Sequence, residues 1–213
     1  MISGAASHRN AGLRSVFIVL LWCLAPAAIG GCERAQERQP RTQPLDTFVG
    51  RIERSDAYVA VLTDHEEIGG YVTDGAHLSI WLAKARIHKG SVTLASREGR
   101  LLGAASIEED SARGSLRLGK RRLRFTAGRA GANGGLFEAS EQLAASSDSV
   151  QAGWIALADG STRGAYETFV DGVVTRHGAP RLEAIVQIPG FGPQIPRELD
   201  SVYLDYLPAA PGE

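Results

Sequence analysis

Alternation with a period of two, cut at short intervals by glycine-containing turns, constrains this chain more than any other feature. Ala57, Val59 and Val61 alternate with Tyr58, Ala60 and Leu62; Leu116 and Leu118 alternate with Ser115 and Arg117; Leu123 and Phe125 alternate with Arg122 and Arg124. Successive side chains of an extended strand point to opposite faces, so these runs read as half-buried strands. Asp74-Gly75, Lys89-Gly90, Glu98-Gly99 and Gly119-Lys120 fall between such runs. Tight hairpins need positive φ in the loop, which glycine adopts without a Cβ clash. Strands are therefore predicted at 47–54, 56–63, 67–73, 77–87, 91–97, 101–107, 113–118 and 121–127. An open meander of this length would expose two edges to aggregation. The expected fold is mainly β, an antiparallel meander forming a barrel or sandwich, with one or two short helices.

A glycine-rich connection, 128–135, ends the meander of residues 46–127 and leads to a second hairpin set over 136–207. Leu136, Phe137, Ser140, Leu143 and Ala144 have helical spacing and predict a short helix. Residues 153–158 and 162–170 are separated by Asp159-Gly160, and a further turn is expected at Asp171-Gly172. A two-residue loop at 159–160 would place Leu157 opposite Thr162, Ile155 opposite Gly164 and Trp154 opposite Ala165. Residues 182–188 add a candidate strand. Pro196 is suited to open a helix with Leu199, Val202, Tyr203, Tyr206 and Leu207 on one stripe. Trp81, Tyr71 and Trp154 are expected in the core, and residues 208–213 read as a disordered tail.

The first 31 residues differ in kind. His8, Arg9 and Arg14 stand without an acid before the apolar run Val16 to Ala25, and Pro26, Gly30 and Gly31 break its end. A spanning helix needs about 20 apolar residues, so this run has signal-peptide length. It ends in Ile29-Gly30-Gly31-Cys32: an aliphatic residue, two small ones, then cysteine. The segment resembles the lipobox of bacterial lipoproteins. That resemblance implies cleavage before Cys32, a diacylglycerol on its sulfur, and an acylated amine. Each buried methylene adds about 0.8 kcal/mol, so two or three chains hold a protein firmly at a membrane. The expected domains are thus a signal peptide, 1–31, a lipidated polar tether, 32–45, and a β-rich domain, 46–207. Glu33 stands where an aspartate would resemble an inner-membrane retention signal. The implied location is the cell envelope. It is the periplasmic face of the outer membrane in a didermic organism, and otherwise the outer face of the plasma membrane.

Removing Arg9 and Arg14 with the leader takes two of the 23 basic residues and none of the 24 acids, for a net charge of −3. Nothing in that balance drives counterion release from nucleic acid, so a nucleic-acid partner is not expected. No cysteine remains after Cys32, so no internal disulfide supports the core.

Several polar groupings carry candidate chemistry. Asp64-His65-Glu66-Glu67 contains cation ligands but has the sequence of a solvated hairpin tip, without a calcium-loop or zinc pattern. His77 and His88 are eleven residues apart on extended chain and cannot share an ion. Gly190-Phe191-Gly192 lacks the strand–helix context of a phosphate loop, and no serine has the G-x-S-x-G setting of a hydrolase elbow. No metal or cofactor site is expected.

The hairpin around Gly119-Lys120 is different. A two-residue turn there pairs Leu118 with Arg121, Arg117 with Arg122, Leu116 with Leu123 and Ser115 with Arg124. The leucines then face one side, and Arg117, Arg122 and Arg124 face the other. Like charges opposed across strands repel, and arginine's planar fork suits phosphate or carboxylate. An anion site at Arg117, Arg122 and Arg124 is expected unless Glu108, Glu109 and Asp110 neutralise it.

Asp56 to Val61, Tyr71-Val72-Thr73-Asp74-Gly75, Trp81, Leu136 to Ala139 and Gly153 to Gly160 together resemble a group of secreted β-rich bacterial domains. The likeness spans about two thirds of the mature chain. It implies an exported β domain and no particular activity; members often carry cysteine where this chain has Thr73. The function read from the sequence is binding of an envelope component or protein partner by a lipid-anchored β domain. A lipocalin-like barrel holding a small apolar ligand is one alternative, with Gly69-Gly70 and Gly103-Ala104-Ala105 small enough to leave a cavity if they face inward. An envelope enzyme is the other.

Overall fold

The structure is a computed structural model and describes residues 45–144 and 146–208. The leader, the tether up to residue 44 with Cys32, and the tail from 209 lie outside the described residues. The described residues belong to one compact unit.

The alternating segment folds as eight strands: β1 (Asp46–Arg51), β2 (Tyr58–Thr63), β3 (Glu67–Thr73), β4 (Ser79–Arg86), β5 (Ser91–Ala95), β6 (Leu101–Ile107), β7 (Ser111–Leu118) and β8 (Arg121–Arg129). They form one antiparallel sheet in the order β4-β3-β2-β1-β8-β7-β6-β5. Pairing of β1 with β8 curls the meander, and its two edges, β4 and β5, meet along a seam. A single bridge, Leu82 to Ser96, and a bond from the Arg97 N–H to the Trp81 carbonyl at 3.0 Å join them. The barrel is therefore nearly closed. The seam lies between consecutive strands. The Lys89-Gly90 turn forms, with both φ positive, and its flanking residues His88 and Ser91 exchange bonds at 2.8 and 3.0 Å, but β4 and β5 diverge beyond it.

Phe48, Phe125, Ile52, Leu82, Leu94 and Leu116 fill the barrel, and each is at most 1% exposed. The small residues serve close approach of the backbone. A Cβ on Gly103 would lie 1.9 Å from the Ser115 carbonyl oxygen, and one on Gly70 2.3 Å from that of Ala60. Gly69 turns the other way, towards Leu207.

The remaining strands are β9 (Gly135–Gln142), β10 (Ser149–Ala156), β11 (Thr162–Val170), β12 (Val173–Gly178), β13 (Val186–Ile188), β14 (Gly192–Gln194) and β15 (Arg197–Glu198), followed by the helix α1 (Ser201–Tyr206). A second sheet has the order β12-β11-β10-β9-β15, while β13 and β14 form a hairpin of their own. One face of this sheet packs on the outside of the barrel, where Leu136 and Ile155 cluster with Leu62, Tyr71, Trp81, Leu204 and Leu207. The β13–β14 hairpin covers the other face through Val186, Ile188 and Phe191, which pack with Trp154, Val150 and Tyr166. Tyr71 ties barrel to sheet: its hydroxyl lies 3.2 Å from the Ala165 carbonyl and 3.1 Å from Ser79 Oγ. Burial pushes this hydroxyl up to about 12, against the opposing bond from Ser79.

Three expectations need correction. Residues 136–144 contain strand β9 where a helix was expected. Leu136 and Glu138 face the barrel while Ala139 packs towards the β13–β14 hairpin, so both faces are covered and polar residues do not mark the alternation. The helix near the end begins at Ser201 rather than after Pro196, because Arg197 and Glu198 pair with the edge of β9 first. Tyr203, Leu204 and Leu207 are buried there, but Tyr206 is 82% exposed and leaves the expected stripe. The β10–β11 register is shifted by one. Leu157 donates to the Ser161 carbonyl across the three-residue loop 158–160, and Gly160 at φ 78° supplies the left-handed closing residue. Trp154 therefore opposes Gly164, Ile155 opposes Arg163 and Ala156 opposes Thr162. A large residue still covers a small one.

Candidate functional site

The β7–β8 hairpin has the expected register. Gly119 at φ 62° opens a two-residue turn, with Leu118 opposite Arg121, Arg117 opposite Arg122, Leu116 opposite Leu123 and Ser115 opposite Arg124. Glycine in the first loop position matches the twist of the flanking strands. Leu116 and Leu123 enter the barrel core, while Arg117, Arg122 and Arg124 stand exposed outside. Arg122 Nε donates to Ser115 Oγ at 3.0 Å, which fixes that guanidinium along the strand.

The acids that follow β6 are engaged at the opposite end of this hairpin. Glu108 lies 3.9 Å from Arg113 and accepts from Ser111 Oγ at 3.1 Å. Asp110 lies 3.6 Å from Arg129, whose guanidinium also donates to the Glu109 carbonyl at 2.7 Å. Among the described residues no carboxylate pairs with Arg117, Arg122 or Arg124. Opposed like charges disfavour the pair mildly, and an anion would relieve this.

Arg117 also reaches a cleft of about 280 Å³ between the barrel seam and the second sheet. Its walls include Trp81 from β4, Glu98 and Arg100 from the loop closing β5 to β6, Gln151 from β10 and Arg176 from β12. Arg176 Nε is bonded to Glu167 at 2.7 Å. Arg100 and Arg117 have no carboxylate partner among the described residues. The Trp81 ring is held from two sides. Tyr71 packs on it with centroids 4.4 Å apart, and the Arg97 guanidinium sits 4.5 Å from its centroid, an attractive cation–π geometry. The ring is 5% exposed, and its Nε1–H has no acceptor among the described residues. Trp81 is thus a core residue, as expected, and also the wall of a cleft. Sequence reasoning missed Arg100, Gln151 and Arg176, since each comes from an element whose neighbour is set by packing rather than by spacing.

A larger cleft, about 620 Å³, lies where α1 meets β9 and β15 and is lined by Arg97, Glu138, Arg197, Asp200, Tyr203 and Tyr206. Arg97 donates to the Tyr203 hydroxyl and lies 3.9 Å from Glu138, which accepts from Gln151 at 2.8 Å. Burial pushes the Tyr203 hydroxyl up, with Arg97 opposing. Two arginines and two acids give this cleft no preference for ligand charge.

The other polar groupings serve turns and ion pairs. Asp64 Oδ1 accepts from the main-chain N–H groups of Glu66 and Glu67 at 3.0 and 2.8 Å, and Glu67 lies 3.6 Å from Lys84. His65 lies 3.0 Å from Asp46. Among the described residues no three His, Cys, Asp or Glu side chains come together to hold a metal ion. His77 borders the arginine cleft, while His88 belongs to the Lys89-Gly90 turn. Gly190-Phe191-Gly192 makes the β13–β14 turn, with φ of 84° and 76° at its glycines. Cys32 lies outside the described residues. Compared with protein-family models, curated proteins and solved structures, the chain matches none.

Proposed function

We propose that this protein is a lipid-anchored β domain of the cell envelope whose work is binding, with the outer face of the β7–β8 hairpin as a receptor for an anionic envelope component. One observation carries the reading: Glu108 and Asp110, the acids that follow β6, are tied to Arg113 and Arg129, and among the described residues no carboxylate forms an ion pair with Arg117, Arg122 or Arg124. The leader and Ile29-Gly30-Gly31-Cys32 support the anchor. Tethering raises the local concentration of an envelope ligand, so a modest intrinsic affinity suffices. The side chains packed inside the barrel favour a ligand met on the outer surface.

Unlipidated residues 33–213, which include all three described cores, are expected to co-sediment with phosphatidylglycerol vesicles at low salt and to release as salt rises. Each basic residue near an anionic surface contributes about 1 kcal/mol, so Arg117→Glu with Arg122→Glu should weaken binding by at least about thirtyfold. A folded double variant that binds like wild type removes the hairpin from the site. If wild type itself stays in the supernatant with vesicles and with cell-wall polymer, the anionic partner is wrong. The anchor has its own check. Cells fed a labelled fatty acid should label the wild-type protein and not Cys32→Ser, and label retained by the variant sinks the lipidation reading.

A further inference from the structure

We infer that the free edge of β12 pairs antiparallel with the β12 edge of a second copy of this chain, across a two-fold axis at Val174, so that the second sheets of the two copies become continuous.

The edge is open. β12 ends the second sheet on one side and pairs only with β11 among the described residues. The other side ends in β15, which has two residues and follows Pro196; proline and brevity both blunt an edge. β12 has six residues, all exposed, with no proline, no lysine and no bulge in its register. Its one arginine, Arg176, is bonded to Glu167 within the same sheet at 2.7 Å.

Hairpin geometry fixes which main-chain groups face outward. Asp171 at φ 50° and Gly172 at φ 76° form the two-residue turn that Asp-Gly favours. Val170 and Val173 are then the hydrogen-bonded closing pair, and every second pair after it is bonded too. A bond from the Ala179 N–H to the Gly164 carbonyl, at 2.9 Å, keeps this phase at the far end. Val173, Thr175 and His177 therefore direct their N–H and C=O groups to β11. Val174 and Arg176 direct theirs away from the sheet, where a second strand would meet them.

The side chains match a second copy. Phe169, Val170, Val173 and Val174 gather at this tip, four of the eight exposed large hydrophobic side chains among the described residues. The tip is also acidic: Asp171 makes the turn, and its N–H donates to Asp148 Oδ1 at 3.3 Å. Arg176 and His177 stand at the root of the strand. Antiparallel self-pairing sets tip against root twice, as a two-fold axis requires. With the axis at Val174, valine meets valine, Val173 meets Thr175 of the other copy, and Asp171 meets His177. Apolar and oppositely charged pairs across strands are favourable. An axis at Arg176 would oppose two arginines instead.

Sedimentation equilibrium of residues 33–213 tests the pairing. A single strand edge is a small interface, so dissociation is expected at about 10–100 μM. Val174→Pro removes an N–H that bonds nothing within its own sheet, and an edge strand tolerates proline there. Val174→Lys opposes two like charges and keeps the N–H. Each should weaken dimerisation at least about tenfold while circular dichroism stays that of wild type. Residues 33–213 contain no cysteine, so an introduced one reports the register. Val174→Cys should form a disulfide-linked dimer on mild oxidation, since bonded antiparallel pairs have Cα atoms about 5.5 Å apart. His177→Cys should not, because the two copies of residue 177 would lie about 20 Å apart. The inference is overturned if wild type stays monomeric to about 1 mM, the local concentration a short tether supplies, which leaves the edge to an extended segment of another protein. It is equally overturned if a folded Val174→Pro or Val174→Lys protein dimerises like wild type, if Val174→Cys fails to cross-link, or if His177→Cys cross-links as readily.

Discussion

Trp154→Ala is expected to destabilise the domain by about 3–5 kcal/mol, the usual range for deleting a large aromatic side chain from a core. Trp154 is fully buried and lies with Tyr166, Ile188 and Phe191 between the second sheet and the β13–β14 hairpin. Its ring fills the space that a side chain at Gly164 would occupy: a Cβ there would stand 2.4 Å from Trp154 Cδ1. Truncation therefore opens a cavity that no neighbour on β11 can fill. It also leaves the Pro180 carbonyl without its indole donor. Urea denaturation should show a lower midpoint with the slope unchanged. A loss under about 1 kcal/mol would mean that the β13–β14 hairpin repacks freely and contributes little.

Gly153→Val should be the most damaging change between barrel and second sheet, costing about 1–3 kcal/mol. A Cβ on Gly153 would lie 2.7 Å from Tyr71 Cζ and 2.8 Å from Trp81 Cζ2. Neither ring can yield easily. Tyr71 is held by Ser79 and Ala165, and Trp81 is packed between Tyr71 and Arg97. The sheet must lift or the rings must leave their rotamers. Denaturant midpoints measure the cost, and near-ultraviolet circular dichroism should report altered aromatic packing. A neutral substitution would show that β10 does not press on the barrel as closely as the geometry has it.

Both changes act at packing contacts that no local pattern announces, and this divides what could be read early from what could not. The barrel strands were legible because their signal is local. Alternation over a few residues, and a glycine with positive φ between two runs, specify a hairpin whatever surrounds it. The arginine hairpin is the clearest instance. Once Gly119-Lys120 is a two-residue turn, the opposition of Arg117 and Arg122 and the inward turn of Leu116 and Leu123 follow from the two-residue repeat. Where a turn differs by one residue, the same reasoning slips, as it does at 158–160, where the loop has three residues.

The sequence by itself determined the strand periodicity, most of the hairpins and the outward face of β7–β8. Tertiary structure decided the rest. Residues 135–142 are a strand whose first five residues are covered by the barrel on one face and the β13–β14 hairpin on the other, and burial on both sides there erases the alternation that marks a strand. The seam falls between β4 and β5, consecutive in the chain, because pairing of β1 with β8 sets where the sheet closes. The cleft gathers Trp81, Arg100, Arg117 and Arg176 from four separate elements. Their meeting depends on how the barrel and the second sheet pack together, and no short-range spacing encodes that contact.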